Sequence, residues 1–227
     1  MPVVTRWWWI RHAPVPDDGR IYGQRDLSCD CSDAEAFAIL AGELPAEAVW
    51  VTSNLKRTIE TAAAILAADP VKFAGVEPRA VPDLAEQHLG EWQGLERKGF
   101  YAARGVGTRT LWFAPADERA PGGESFADLI ARVAPAIERL TMDHRGRDIV
   151  AVTHGGTIRA ALGLALGLDP QAALAFAADN CSLTRLDHLS AGGGAGLWRV
   201  VAVNRRAWPR PVSARDTGRK PLAIDKA

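Results

Sequence analysis

The sequence predicts a three-layer α/β fold, in which a mostly parallel sheet is covered by helices on both faces. Short apolar strands alternate with amphipathic helices along the chain, and the strands lead through turns into the segments that follow. Hydrophobic residues make up 48% of the 227 residues, which is ordinary for a globular protein. We therefore expect one α/β domain.

The first part of the chain contains two predicted strands, each followed by a helix. Residues 4–10 (VTRWWWI) form an apolar strand whose tryptophans pack into the core on both sides of the sheet. A capping box (SDAE) begins a helix over 32–44, and 48–52 (AVWVT) is a second strand. Ser53 then caps a second helix. The predicted buried face of that helix carries Leu55, Ile59, Ala62 and Leu66.

The second part repeats this pattern. A PGG segment breaks the chain, Ser125 caps a helix within 121–140, and Pro135 is predicted to kink it. Residues 148–153 (DIVAVT) form the clearest buried strand, and a His-Gly-Gly turn leads directly into a helix over 157–168. Two last strands, which flank a Gly-rich loop and are predicted to pair as a hairpin, span 183–186 and 197–203.

The composition changes at residue 205. Residues 205–227 carry seven Lys or Arg, two Asp and three Pro without apolar periodicity. We predict a domain over 1–204 followed by a mobile basic tail.

Composition also limits the classes of partner. The formal net charge is zero and no basic stripe is present, so only the basic tail favours nucleic-acid binding. The N-terminal apolar run is short and interrupted by Arg6, which argues against a membrane span or secretory signal. The three cysteines, Cys29, Cys31 and Cys181, lack zinc-site spacing and are interpreted as reduced thiols. We expect a cytoplasmic protein with a small-molecule partner.

Two histidines follow directly on predicted strands, His12 after the first and His154 after 148–153. A single histidine in such a loop is usually structural. In parallel sheets, however, the carboxyl ends of the strands meet at one edge, where ligands bind. The matched placement therefore favours a shared site.

Arg57 lies in the first turn of its predicted helix, where a cation opposes the helix dipole. One interpretation is an arginine that reaches solvent or pairs with Glu60. The other is a phosphate clamp, because the planar guanidinium matches phosphoryl oxygens.

These residues resemble the histidine phosphatase superfamily, the phosphoglycerate-mutase-like proteins. The family's Arg-His-Gly turn stands here as Arg11-His12-Ala13. Four further segments follow in the family's order: TSNLKRTIETA (52–62), LAEQHLGEWQG (84–94), PGGES (121–125) and VTHGGTIRAAL (152–162). The resemblance extends to about Val203.

The resemblance implies a role for each motif residue. His12 is the nucleophile that forms a phosphohistidine, and Glu86 is the proton donor. Arg11, Arg57 and a protonated His154 hold the phosphoryl group and offset its charge. Neither a metal nor a cofactor is required.

Further residues are implied to contact substrate: Gly23, Gln24 and Gly155. The chain departs from the family at Ala13 and Pro14, which replace the usual Gly and a frequent Glu; we expect Ala13 to be tolerated because its side chain is small. Asp18 stands where an asparagine is common, so one phosphate donor is missing or is supplied by Gln24. The other candidates, Asn180, His88, His144 and His188, are interpreted as structural.

The motifs favour a phosphatase of small phosphorylated metabolites over a mutase. The PGGES segment and the L-x-E-x-x-x-G-x-W-x-G pattern resemble the branch that contains alpha-ribazole phosphatase, and the longer insertion of the sugar-phosphate mutases is not evident. A phosphoglycerate-type mutase and a catalytically silent phosphate-binding module remain alternatives. Homodimers are common in the family, but no interface pattern in this sequence indicates one.

Overall fold

The computed structural model describes residues 2–105, 112–190 and 196–206. The strands of these residues are β1 (Val3–Arg11), β2 (Ala48–Thr52), β3 (Arg79–Ala80), β4 (Asp148–Thr153), β5 (Ser182–Ser190) and β6 (Leu197–Arg206). The helices are α1 (Ala34–Glu43), α2 (Lys56–Ala68), α3 (Arg97–Ala103), α4 (Phe126–Asp143), α5 (Gly155–Leu166) and α6 (Pro170–Ala173). Two short 3-10 helices span Pro82–Leu84 and Gly90–Trp92.

The strands of the described residues form one sheet in the order β3-β2-β4-β1-β5-β6. The pairs β3-β2, β2-β4 and β4-β1 are parallel, whereas β5 pairs antiparallel with β1 and β6. The predicted α/β fold with a mostly parallel sheet is confirmed, and β5 and β6 form the predicted antiparallel pair.

Two apolar clusters cover the two faces of the sheet. Trp7 and Trp9 stack with ring centroids 4.5 Å apart on the face covered by α4, α5 and α6. Trp8 and Ile10 face the other side, where α1 and α2 pack. Because alternate strand residues point to opposite faces, the tryptophan run serves both layers, as predicted.

Both early helices begin later than predicted. The side chain of Asp33, and not that of Ser32, accepts a hydrogen bond from the Ala36 N–H and caps α1. Likewise, α2 begins at Lys56 without a side-chain cap. Ser53 was therefore wrongly predicted as its cap, and the Ser53 hydroxyl is bonded elsewhere, as described below.

The buried face of α2 also differs from the prediction. Ile59 is 46% exposed, although it was placed on the buried face. The helix instead turns Arg57, Thr58 and Thr61 inward together with its apolar residues. Polar side chains occupy this face because it borders the site at the strand ends.

The later helices follow the sequence more closely. Ser125 and Asp128 form a reciprocal capping box, and α4 continues through Pro135 without interruption. α5 begins at Gly155, two residues earlier than predicted, since the glycines of the turn are already helical. It ends before Gly167, whose φ of 62° is left-handed and suits glycine.

The outer regions are described in part. β6 continues to Arg206, two residues into the predicted tail. The rest of the tail, 207–227, and most of the Gly-rich loop lie outside the described residues. No helix among those described is long and apolar enough to cross a membrane.

Candidate active site

Adjacent parallel strands bring the two motif histidines together. β1 and β4 pair in register, with Arg11 opposite Thr153, so His12 and His154 leave the sheet at the same edge. Their ring centroids lie 5.2 Å apart, and both side chains are fully buried. The sequence-based pairing of these residues is therefore found in the structure.

The hydrogen bond of His12 defines which of its ring nitrogens is free. Nδ1 lies 2.7 Å from the carbonyl oxygen of Ala13, and a carbonyl only accepts, so Nδ1 carries the proton. Burial, followed by the charges of Arg57 and Arg11, lowers the pKa of His12 well below its usual value. The ring is therefore neutral at pH 7, and Nε2 carries a lone pair.

The loop after β1 fits an alanine. The Ala13 N–H donates to Thr61 Oγ1 at 2.9 Å, and the residue is not in the left-handed region that would require glycine. The Asn180 side chain, just before β5, donates to the His12 carbonyl at 2.7 Å and helps to fix this loop. Asp18 is exposed in a turn with φ 52°.

Arg57 is fully buried, which excludes the solvent-exposed interpretation. Its Nη1 and Nη2 donate to the carbonyls of Arg25 and Gly23 at 2.9 and 2.6 Å. Glu60 accepts from the Cys29 N–H and is not its ion-pair partner. Burial lowers the pKa of Arg57, but a guanidinium remains charged at pH 7.

Arg11 reaches the same site from β1. Its Nη1 donates to the Ala178 carbonyl at 2.6 Å. A Cβ on Gly155 would lie 3.6 Å from Arg11 Nε and 3.1 Å from Arg159 Nη1. Gly155 therefore leaves room for two guanidinium groups beside the start of α5.

His154 is held by Ser53, whose Oγ lies 2.8 Å from Nε2. The Ser53 Oγ also accepts from the Leu55 N–H and lies 3.0 Å from Thr58 Oγ1. Burial, followed by the charges of Arg57 and Arg11, lowers the pKa of His154 well below its usual value. Without a bound anion this ring is neutral, and the protonated form implied for the phosphoryl complex stays a prediction.

One nitrogen of each of these four residues lacks a hydrogen-bond partner. The atoms are Arg11 Nε, His12 Nε2, Arg57 Nε and His154 Nδ1, and all are buried. Buried polar atoms are normally paired, so unpaired ones need an explanation such as a ligand. Unpaired nitrogens on two neighbouring histidines and two arginines suit the oxygens of a phosphoryl group.

Glu86 lies at the mouth of this cluster and is half-buried. Its carboxylate accepts from the Gly156 N–H at 3.1 and 3.3 Å and from the Gln87 N–H at 3.0 Å. A Cβ on Gly156 would lie 2.2 Å from Glu86 Oε1, so only glycine permits this contact. The second glycine of the His-Gly-Gly turn therefore positions the acid.

Gln24 acts on Glu86 rather than in the main cavity. Its side chain donates to the Glu86 carbonyl at 2.8 Å, and it lines a neighbouring cavity of about 460 Å³ with Glu124 and Arg132. That cavity is lined by none of the four residues with unpaired nitrogens named above. The substrate contact implied for Gln24 stays a prediction.

A cavity of about 360 Å³ opens onto Arg11 and Glu86. Gly23 lines it, as expected, and Asn180 lines it too, in addition to its structural bond to the His12 carbonyl. Asn180 follows no motif, and it comes to this site because β5, which begins two residues later, pairs with β1. Among the described residues, no group of three or more His, Cys, Asp or Glu is arranged to hold a metal.

One edge of the sheet of this α/β protein gathers two histidines, two arginines and a glutamate, an arrangement that suits a phosphoryl-sized anion. The chain belongs to the histidine phosphatase superfamily (branch 1), whose family model matches residues 7–204. The family resemblance seen in the motifs is therefore confirmed.

Relatives in this family carry two kinds of name. A metal-independent phosphoserine phosphatase of Arabidopsis thaliana is 33% identical over 66% of this chain and 64% of that protein. A glucosyl-3-phosphoglycerate phosphatase of Mycolicibacterium vanbaalenii is 32% identical over 70% of this chain and 73% of that protein. A 2,3-bisphosphoglycerate-dependent phosphoglycerate mutase of Gloeobacter violaceus is 32% identical over 64% of this chain and 66% of that protein. The match to the plant phosphatase spans less than two thirds of its length.

Solved structures share the fold over nearly the whole chain. A structure named mycobacterial hydrolase 2 superposes with a TM-score of 0.76 and 28% identity, and covers 93% of this chain and 94% of that one. An Escherichia coli structure named for alpha-ribazole-5'-P phosphatase superposes with a TM-score of 0.69 and 21% identity, and covers 89% of this chain and 97% of that one. At this identity the likeness shows the fold alone.

Proposed function

We propose that this chain hydrolyses phosphomonoesters without a metal, through a phosphohistidine on His12 and with Glu86 as proton donor. The observation that carries the proposal is the buried, unprotonated and unpaired Nε2 of His12 beside three further unpaired nitrogens. A neutral imidazole nitrogen is a competent nucleophile for phosphorus, and the surrounding cations offset charge in the transition state.

The reaction has two balanced steps. His12 Nε2 forms a bond to phosphorus while the bond from phosphorus to the alcohol oxygen breaks, and Glu86 gives that oxygen a proton. Water then attacks the phosphohistidine and gives a proton to Glu86, and the nitrogen–phosphorus bond breaks to release phosphate. Arg11 and Arg57 remain charged throughout. The bound anion favours a proton on His154 Nδ1, which then donates to a phosphoryl oxygen.

The nucleophile is tested by phosphate release from p-nitrophenyl phosphate without added metal. We expect His12→Asn to lower kcat by about 10⁴-fold or more, since asparagine keeps a donor for the Ala13 carbonyl but lacks Nε2. His144→Asn, at the distant end of α4, is the matched control and should keep full activity. Activity retained in His12→Asn would overturn the proposal.

The proposed role of Glu86 as proton donor is tested by comparing esters with different leaving groups. Removing a general acid costs about 10²- to 10⁴-fold when the departing oxygen needs a proton. Glu86→Gln should therefore lose far more activity with benzyl phosphate than with p-nitrophenyl phosphate, since nitrophenolate leaves without a proton. Equal losses with both esters would remove Glu86 from this role.

A mutase is the second candidate, because the Gloeobacter relative bears that name. A mutase returns the phosphoryl group to a second hydroxyl, whereas a phosphatase transfers it to water. Incubation with 3-phosphoglycerate separates them: inorganic phosphate supports hydrolysis, and 2-phosphoglycerate supports transfer. Phosphate binding without either product would support the silent binding module.

We also propose a small phosphorylated metabolite as the partner and the cytoplasm as the compartment. The compartment rests on the sequence, whose three cysteines lack the spacing of paired sites and are interpreted as reduced thiols. Fractionation of the source cells tests the compartment. A homodimer stays a prediction, which sedimentation of the full chain would check.

A further inference from the structure

The outer part of the main cavity differs in chemistry from its floor. Beyond Arg11 and Glu86 its walls are largely aromatic and aliphatic. We call this part the leaving-group pocket; its wall residues are Ile21, Tyr22, Leu89, Tyr101, Trp112 and Phe113. We place the alcohol portion of a phosphomonoester held by His12 here, because Arg11 and Glu86 line this cavity and the ring centroid of its wall residue Tyr22 lies 6.3 Å from that of His12.

The aromatic wall is firmly packed. The rings of Tyr101 and Phe113 stack with centroids 5.5 Å apart and planes 14° apart, and Trp112 lies 4.8 Å from Phe113. The Arg159 guanidinium lies 4.9 Å from the Trp112 ring centroid and is anchored by its bond to the Phe176 carbonyl. A wall built this way offers flat apolar surface that is already in place before substrate binds.

The charges of the leaving-group pocket disfavour a second anion. Arg11 and Arg97 are the cations among the described residues that line the cavity. Arg97 forms an ion pair with Asp17 and donates to the Arg20 carbonyl at 2.8 Å. Arg97 lies one helical turn from Tyr101 on α3, so its cation stands at the aromatic wall but is already neutralised.

We propose that the substrate's alcohol portion is an uncharged compact group with an aromatic ring, which packs against the Tyr101–Phe113 wall. The inference rests on the proposed function and names its substrate class. A carboxylate or second phosphate on the alcohol would lose its hydration beside apolar walls and meet Asp17 without an unpaired cation. The cavity volume of about 360 Å³ is near the lower end for small-molecule sites, which suits a compact alcohol.

Two esters that differ by one charge test the proposal: benzyl phosphate and 4-carboxybenzyl phosphate. We expect kcat/KM to be lower by about tenfold or more for the carboxylate ester, because its charge loses hydration beside apolar walls and gains no partner. 3-Phosphoglycerate and phosphoserine should be still poorer substrates, since they also lack a ring. Equal or better turnover of the charged esters would overturn the inference.

Asp17→Asn tests the charge argument directly. Asparagine keeps an oxygen that can accept the hydrogen bond that the Gly19 N–H donates to Asp17 at 2.8 Å. It removes the negative charge that neutralises Arg97. The ratio of kcat/KM for 4-carboxybenzyl phosphate over benzyl phosphate should rise about fivefold, the scale of one partly exposed ion pair. An unchanged ratio would contradict the neutralised-cation argument.

The neighbouring residues Tyr101 and Phe100 provide a matched pair of variants. Both belong to the same aromatic cluster on α3, but only Tyr101 lines the pocket. Tyr101→Ala should raise KM for benzyl phosphate about tenfold. Phe100→Ala, with a thermal stability similar to that of Tyr101→Ala, should leave KM unchanged. If Tyr101→Ala does not fold, the comparison of esters and the Asp17→Asn variant still test the proposed substrate class.

The failures of the two proposals are distinguishable. Hydrolysis with a preference for 3-phosphoglycerate would overturn only the substrate class. Failure of the folded protein to release phosphate from any of these esters would overturn the proposed function and this inference with it.

Discussion

At the scale of single residues, burial and neighbouring arginines determine the protonation of the two histidines. Both effects favour the neutral ring, since each disfavours an added positive charge. His12 thereby keeps the lone pair on Nε2 that the proposed attack requires. The same effects make His154 neutral until an anion binds.

The pH dependence of activity follows from this shift. Because the pKa of His12 lies well below its usual value of 6.5, protonation of the nucleophile occurs only in more acidic solution. We expect kcat/KM for p-nitrophenyl phosphate, corrected for ionisation of the substrate, to be unchanged between pH 7 and 6. A tenfold loss per pH unit that begins at pH 6.5 would contradict a lowered pKa.

Stability should depend on pH in the direction set by the same groups. An unfolded chain protonates its histidines below about pH 6.5, while the folded chain resists protonation of His12 and His154. The free energy of unfolding is therefore highest above pH 6.5 and falls on acidification, by up to about 1.4 kcal/mol per pH unit for each histidine. In His12→Asn, urea unfolding at pH 7 and 5 should show a smaller loss than in the native chain.

Single residues also show what the sequence reveals and what it hides. His12, His154 and Arg57 were predicted because each follows a strand or breaks a helix preference. The hydrogen bonds of Asn180 and Gln24 were not, since both depend on contacts between distant segments. The protonation of His154 depends on burial and on nearby arginines, which no sequence motif displays.

At the scale of elements, the site is built from two strand-turn-helix units on adjacent strands. β1 supplies Arg11 and His12, and β4 delivers His154 to the start of α5. In the turn after β4, the first two glycines of α5 lie directly against the side chains of Arg11, Arg159 and Glu86, where an added Cβ would crowd them. This explains why the turn contains two glycines in succession.

A methyl group on the second glycine should displace the acid. Gly156→Ala places Cβ 2.2 Å from Glu86 Oε1, so the carboxylate must move. We expect kcat with benzyl phosphate to fall about 100-fold, the lower end for loss of a general acid. Gly42→Ala, which meets no atom within 4 Å, is the control and should keep full activity. Full activity of Gly156→Ala would show that Glu86 does not need this contact.

The elements were predictable where their patterns are long or strongly apolar. β1, β4 and α4 were placed within a few residues, since burial and caps agree along each of them. The two-residue β3 was not predicted, because it is too short for a periodic signal. The face of α2 was misassigned because the site, not the core, takes its polar residues.

At the scale of the whole molecule, the sheet lies between two helical layers, each of which packs on it through one apolar cluster. The stacked Trp7–Trp9 pair belongs to one core cluster and Ile10 to the other, so β1 joins both layers directly behind His12. This packing offsets the free-energy cost of burying Arg57 and two unpaired histidine nitrogens. A bound anion should relieve that cost.

Anion binding should therefore stabilise the fold. Ligand at about 100 times its Kd adds about 2.7 kcal/mol to the free energy of unfolding. We expect orthovanadate to raise the Tm of the native chain but to raise that of Arg57→Ala much less. Arg139→Ala, which removes only an exposed contact to Asp83, should respond like the native chain. An equal response in all three would place the anion elsewhere.

The most direct test of the central claim is to trap the phosphoenzyme. Native protein mixed rapidly with benzyl phosphate and quenched in alkali should carry one phosphoryl group, stable in base and labile in acid as phosphohistidine is. Peptide mass spectrometry should place it on His12, and His12→Asn should carry none. Phosphate on another residue, or turnover without any phosphoenzyme under conditions that preserve phosphohistidine, would contradict the account.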